Sequence, residues 1–84
     1  MAGVKDLDWL EAHGFSATTS GVWRHPCGVW ASPAGDRKWT ATWSPNLAHG
    51  RTPAEAVGKL MSVLVAYAHR YFDQADALKE IVEQ

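Results

Sequence analysis

Few residues in this 84-residue chain carry groups able to do bond-making chemistry, and they are dispersed. Four histidines, His13, His25, His49 and His69, and one cysteine, Cys27, are the candidate ligands and nucleophiles. A zinc site needs three or four such donors in a tetrahedral array. Only His25 and Cys27 stand close together, in the turn sequence His25-Pro26-Cys27-Gly28. Cys27 paired with a distant histidine would be a thiolate nucleophile, yet a lone cysteine in a Pro-Cys-Gly turn reads first as a turn residue. Gly14, Gly21, Gly28 and Gly35 recur along the chain at separate turns, without the cluster that cradles a phosphate. Asp73 and Asp76 share one helical face and read as capping or solvated carboxylates. The expectation is a protein that is not an enzyme, with no catalytic residue, no metal and no cofactor.

Binding chemistry is better represented. There are five tryptophans, Trp9, Trp23, Trp30, Trp39 and Trp43, an unusual total whose first reading is that a small domain fills its core with large side chains. The net charge of −1 provides no strong overall field for nucleic acid, but the charge is segregated. Residues 22–51 carry Arg24, Arg37, Lys38 and Arg51 against Asp36, whereas residues 70–84 carry Asp73, Asp76, Glu80 and Glu83 against Arg70 and Lys79. A single cysteine precludes an internal disulfide and suits a reducing compartment. There is no apolar run of membrane-spanning length, and the first residues lack the basic and apolar segments of a signal peptide. A cytoplasmic location is expected.

The elements that position these residues follow from local patterns. Thr52-Pro53-Ala54-Glu55 is a capping box with proline at the first helical position. Beyond it Val57, Leu60, Met61, Leu64, Ala68, Tyr71, Ala75, Leu78 and Val82 recur at helical spacing, with Lys59, Ser62, His69, Asp73, Asp76 and Glu80 opposite. One continuous helix over 53–83 is predicted, the alternative being a break at Asp73. At the other end, Asp6 to His13 predicts a short helix capped by Asp6 and ended by Gly14, with Leu10 touching Phe15.

Thr18 to Pro45 predicts a three-stranded antiparallel meander with strands Thr19–His25, Val29–Ser32 and Arg37–Trp43. Two turns, His25-Pro26-Cys27-Gly28 and Ser32-Pro33-Ala34-Gly35, join them. Three-residue bulged loops would pair His25 with Val29 and Ser32 with Asp36. They would place Trp23, Val29, Ala31, Trp39, Ala41 and Trp43 inside and leave Trp30 outside, beside Arg24, Lys38 and Thr40. Two-residue loops would instead bring Trp23, Trp30 and Trp39 inside together. The glycine positions favour the bulged version. The fold class is α+β, a single domain over residues 1–84 in the order helix, three strands, helix, with Ser44–Arg51 a polar loop.

That order resembles double-stranded-RNA-binding domains. The run Lys38-Trp39-Thr40-Ala41-Thr42-Trp43, followed by Thr52-Pro53-Ala54-Glu55-Ala56-Val57, is similar to the strand-to-helix junction of HicB-type antitoxins. The RNA-binding resemblance would imply lysines at the start of the last helix to meet phosphates across a groove. Pro53-Ala54-Glu55-Ala56 stands there instead, so no functional residue is carried over from either family. The expected function is a small protein-binding module of the type that phages and mobile elements use to inhibit host defence complexes, anti-CRISPR proteins among them. Its partner-binding residues would be Arg24, Trp30, Arg37, Lys38, Thr40 and Arg51, with Val22 on the same exposed sheet face. Alternatives are nucleic-acid binding by the same face, or an antitoxin-like homodimer. A second surface for a partner or a second copy would comprise Tyr67, Tyr71, Phe72, Leu78, Ile81 and Val82.

Overall fold

A computed structural model describes residues 4–83. The first helix, α1 (Val4–Ala12), begins before Asp6, so Asp6 lies in its first turn and does not cap it. Its end is as predicted. Gly14 takes φ 87°, the Phe15 amide donates to the Leu10 carbonyl at 2.9 Å, and the Gly14 amide donates to Glu11 at 3.2 Å. These are the two bonds of a Schellman cap, and they turn the chain so that Leu10 and Phe15 are buried together.

The sheet is antiparallel but has five strands, not three: β1 (Ser16–Ala17), β2 (Trp23–Arg24), β3 (Trp30–Pro33), β4 (Trp39–Trp43) and β5 (Asn46–Gly50), adjacent in chain order. The strand expected over Thr19–His25 is largely a turn. The Thr18 amide donates across that turn to the Val22 carbonyl at 3.0 Å, and its hydroxyl donates to the same carbonyl at 2.7 Å, with Gly21 at φ 84°. The β2–β3 hairpin has the bulged loop. The His25 amide donates to Val29 at 3.0 Å, and Gly28 adopts φ 120°. In the β3–β4 hairpin the bend lies further along than predicted. Ser32 pairs with Thr40 rather than Asp36, and the loop is Gly35-Asp36-Arg37, closed by Ala34 donating to Lys38. Positive φ at Gly35 and Arg37 makes this bend. Pro33 is tolerated in β3 because β2 ends opposite Ala31, so no strand pairs with that flank of Pro33. The shift preserves facing, because an even displacement keeps each side chain on its side.

The segment expected to be a polar loop is mostly β5. A cis Ser44–Pro45 peptide makes the turn, and Trp43 pairs with Asn46. Along the inner face Ala31, Ala41 and Ala48 lie side by side on three strands. These small side chains form a floor on which α2 (Pro53–Ala66) lies. The approach is closest at Gly50, where a β-carbon would lie 2.5 Å from the Ala56 nitrogen. The Thr52 half of the predicted capping box is formed: the Glu55 amide donates to the Thr52 hydroxyl at 3.1 Å.

The long helix is not continuous, and it does not break at Asp73. α2 ends at Ala66, Tyr67 leaves helical geometry (φ −114°, ψ 36°), and α3 (Ala68–Val82) carries a second non-helical residue at Tyr71. Two helices end to end would span roughly 44 Å at ~1.5 Å per residue. The longest dimension of the molecule is 36 Å, and Val65 and Lys79 line one groove. The chain therefore folds back, and α3 packs on α2. The side chains of Val4, Ala68 and His69, and residues 1–3 and 84, lie outside what is described.

The buried residues form one cluster: Leu10, Phe15, Val29, Ala31, Trp39, Ala41, Ala48, Ala56, Val57, Leu60, Leu64, Ala75, Leu78 and Ile81. Each fully buried leucine contributes about 1.5–3 kcal/mol relative to exposure. The order of elements, with five strands and a third helix, departs from the one shared with double-stranded-RNA-binding domains.

Candidate binding face of the sheet

Strand pairing dictates what the outer face carries. Opposite the alanine floor, a row of directly paired residues crosses all five strands: Ser16, Arg24, Trp30, Thr42 and Leu47. A second row comprises Ser32, Thr40 and His49. Lys38 and Arg51 follow immediately beyond the paired Trp39 and Gly50. No acidic residue occurs in any of the five strands.

Trp30 is 38% exposed and Leu47 52%, large apolar side chains on either side of Thr42. The Arg24 guanidinium carbon lies 5.2 Å from the centroid of the Trp30 ring. Such an exposed cation–π contact contributes about 0.5–1 kcal/mol and orients the indole. Thr40 and His49 are hydrogen-bonded across the strands at 2.8 Å between Oγ1 and Nδ1. At the Lys38 end a shallow concavity is lined by Arg37, Lys38, His49, Arg51 and Lys59, with Asp36 and Glu55. Glu55 and Lys59 are an ion pair at 3.2 Å. Lys59 first, and then the backbone and charge of Arg51, hold the Glu55 carboxyl below the usual range.

Thus Arg24, Trp30 and Thr40 share one face, and Arg37, Lys38 and Arg51 gather at one end of it. Leu47 was missed because it lay in a segment read as loop. Leu47 and Ala48 are consecutive apolar residues followed by His49 and Gly50, so no apolar–polar alternation marks this strand in the sequence.

The second surface is divided by the fold. Leu78 (0% exposed) and Ile81 (3%) belong to this chain's own core and are withdrawn from any partner, because α3 turns them onto α2. Tyr71 is half-buried, whereas Tyr67, Phe72 and Val82 are exposed. Phe72 is joined by Val65, Ala75, Asp76 and Lys79 around a groove between the two helices.

The reactive residues are placed otherwise. His13 stacks on Trp9 with centroids 4.2 Å apart, and its Nδ1 lies 2.7 Å from the Trp9 carbonyl. His25 sits edge-on to Phe15 at 5.1 Å, and its Nδ1 accepts from the Cys27 backbone amide at 3.0 Å. It is this amide, not the thiol, that meets the imidazole. Burial pushes the Cys27 thiol up, away from the thiolate a nucleophile requires. Among the described residues no three of His, Cys, Asp and Glu are grouped to hold a metal ion, and no helix is long and apolar enough to cross a membrane. Comparisons of the chain with family models, with curated proteins and with solved structures find no match.

Proposed function

We propose that this protein is a non-catalytic protein-binding module whose interface is the outer face of the sheet. It acts by occupying a partner's surface, as an inhibitor of a larger complex does. The observation that carries this reading is the placement of Trp30 and Leu47, exposed beside each other's neighbour Thr42, with Arg24 over the indole. Tryptophan and arginine carry a disproportionate share of interface energy. A base-stacking role is less well supported. Arg24 already covers one face of the Trp30 ring, and Leu47 has no flat surface to offer a base.

Affinity capture from the native cell tests the reading, with the intact protein and a Trp30→Ala/Leu47→Ser variant as baits. A protein retained by the first and lost by the second is the expected result, with matching thermal melts showing that the variant is folded. Equal capture by both baits would refute it.

The α2–α3 groove supports a second contact, with a partner or a second copy of the chain, because Phe72 is 67% exposed beside Val65. Sedimentation at rising concentration tests the homodimer, which predicts a mass that doubles. A mass that stays monomeric removes it.

A further inference from the structure

We infer that the sheet face takes an extended acidic segment of its partner, with an apolar side chain lying on Trp30 and Leu47 and a carboxylate entering between Lys38 and Arg51. This rests on the reading of that face as a protein interface and specifies what binds there. The argument is one of charge and spacing. The five strands contribute no acid, and the acids beside Lys38 and Arg51 are Asp36 in the β3–β4 loop and Glu55 on α2. Both of these acids are engaged, Glu55 by Lys59. Arg37, Lys38, Arg51 and Lys59 outnumber them, so the concavity keeps a positive balance.

The apolar anchor and the cationic end are separated along one strand. Thr42, between Trp30 and Leu47, is four residues from Lys38 on the same stretch of chain, roughly 13 Å in extended geometry. An extended peptide laid along β4 bridges that distance when its apolar residue and its carboxylate are also about four residues apart. Ser32, Thr40 and His49 lie between and present hydroxyl and imidazole groups. The cations therefore stand at the two ends with none between them, and this pattern disfavours a phosphate backbone, whose charge repeats at every nucleotide.

The test is selection of a displayed random dodecapeptide library on the immobilised full-length protein, followed by affinity measurement with synthetic copies of the selected peptides. Peptides with an aromatic or aliphatic residue about four positions from Asp or Glu are expected. They should bind about tenfold or more weakly to Lys38→Glu/Arg51→Glu, and likewise to Trp30→Ala/Leu47→Ser. Selected peptides without acids, or ones that bind Lys38→Glu/Arg51→Glu within about twofold of the parent, overturn the inference. If those peptides still lose affinity on Trp30→Ala/Leu47→Ser, the protein interface stands and only its acidic specificity falls. If neither variant matters, the face itself is wrong. Failure to select any peptide, or displacement of the peptides by single-stranded oligothymidylate that binds more tightly, also overturns the inference.

Discussion

Single side chains fix the corners of this molecule. Gly14 holds φ 87°, and a β-carbon there would lie 3.2 Å from His25 Nε2. Gly14→Ala is expected to cost about 1–2 kcal/mol from the backbone alone, read as a lower urea midpoint. Thr52 carries the cap of α2, and Thr52→Ala should cost ~1 kcal/mol in the same measurement, while Thr52→Ser should cost little. Both positions were legible in the sequence, because capping chemistry is local.

His25, at the turn that joins β2 to β3, is half-buried against Phe15. Its Nδ1 accepts a hydrogen bond from the Cys27 amide, so a second ring proton, placed on Nδ1, would break that bond. Burial lowers its pKa from 6.5, with a hydrogen bond to the His13 backbone acting in the opposite direction. Below pH 6.5 the unfolded chain therefore takes up a proton that the folded chain declines. Stability is full above that value and is lost as pH falls through it towards the lower folded value. A urea midpoint that drops across this window in the parent, and drops less in His25→Gln, is expected. Parallel profiles would contradict it.

At the scale of elements, the helical stripe was legible but its interruption was not. α2 and α3 each turn an apolar face inward, so the 3.6-residue period continues past Tyr67, and no glycine or proline follows Gly58 to mark the break. The sheet offers a floor of limited length, and an uninterrupted helix would carry Ala75, Leu78 and Ile81 beyond it. Folding back buries them. Leu78→Ala is accordingly expected to cost about 2–5 kcal/mol, and Phe72→Ala under ~0.5 kcal/mol. Similar costs for the two in urea unfolding would show that α3 is not packed as described.

β5 was hidden because Pro45, Asn46 and Gly50 are turn-forming residues and its apolar content is only Leu47 and Ala48. It is a strand because β4 supplies a pairing edge and α2 covers its inner side. Gly50 sits where it must, and Gly50→Ala would force the first turn of α2 off the sheet. The facing of the tryptophans was legible, since Trp39 is buried and Trp30 exposed as alternation predicts. The displaced β3–β4 loop was not, because any even displacement yields the same pattern of exposure.

Across the whole molecule, charge is distributed by layer. The sheet face and its Lys38 end are cationic, while α3 carries Asp73, Asp76 and Glu80 against Lys79 and Arg70. Two different surfaces are thus offered, one basic with Trp30 and Leu47, the other of mixed charge, with Asp76 and Lys79 beside Phe72 and Val65. Binding by the first should weaken as salt rises from about 0.05 to 0.5 M, since its cations are exposed and screened over a Debye length.

Affinity for the captured partner discriminates between the two surfaces most directly, measured in parallel on folded Trp30→Ala/Leu47→Ser and folded Val65→Ser/Phe72→Ser. The first variant should lose about tenfold or more and the second should bind as the parent does. Loss confined to the second, with the sheet variant unaffected, would contradict a sheet-face interface and place binding on the helices.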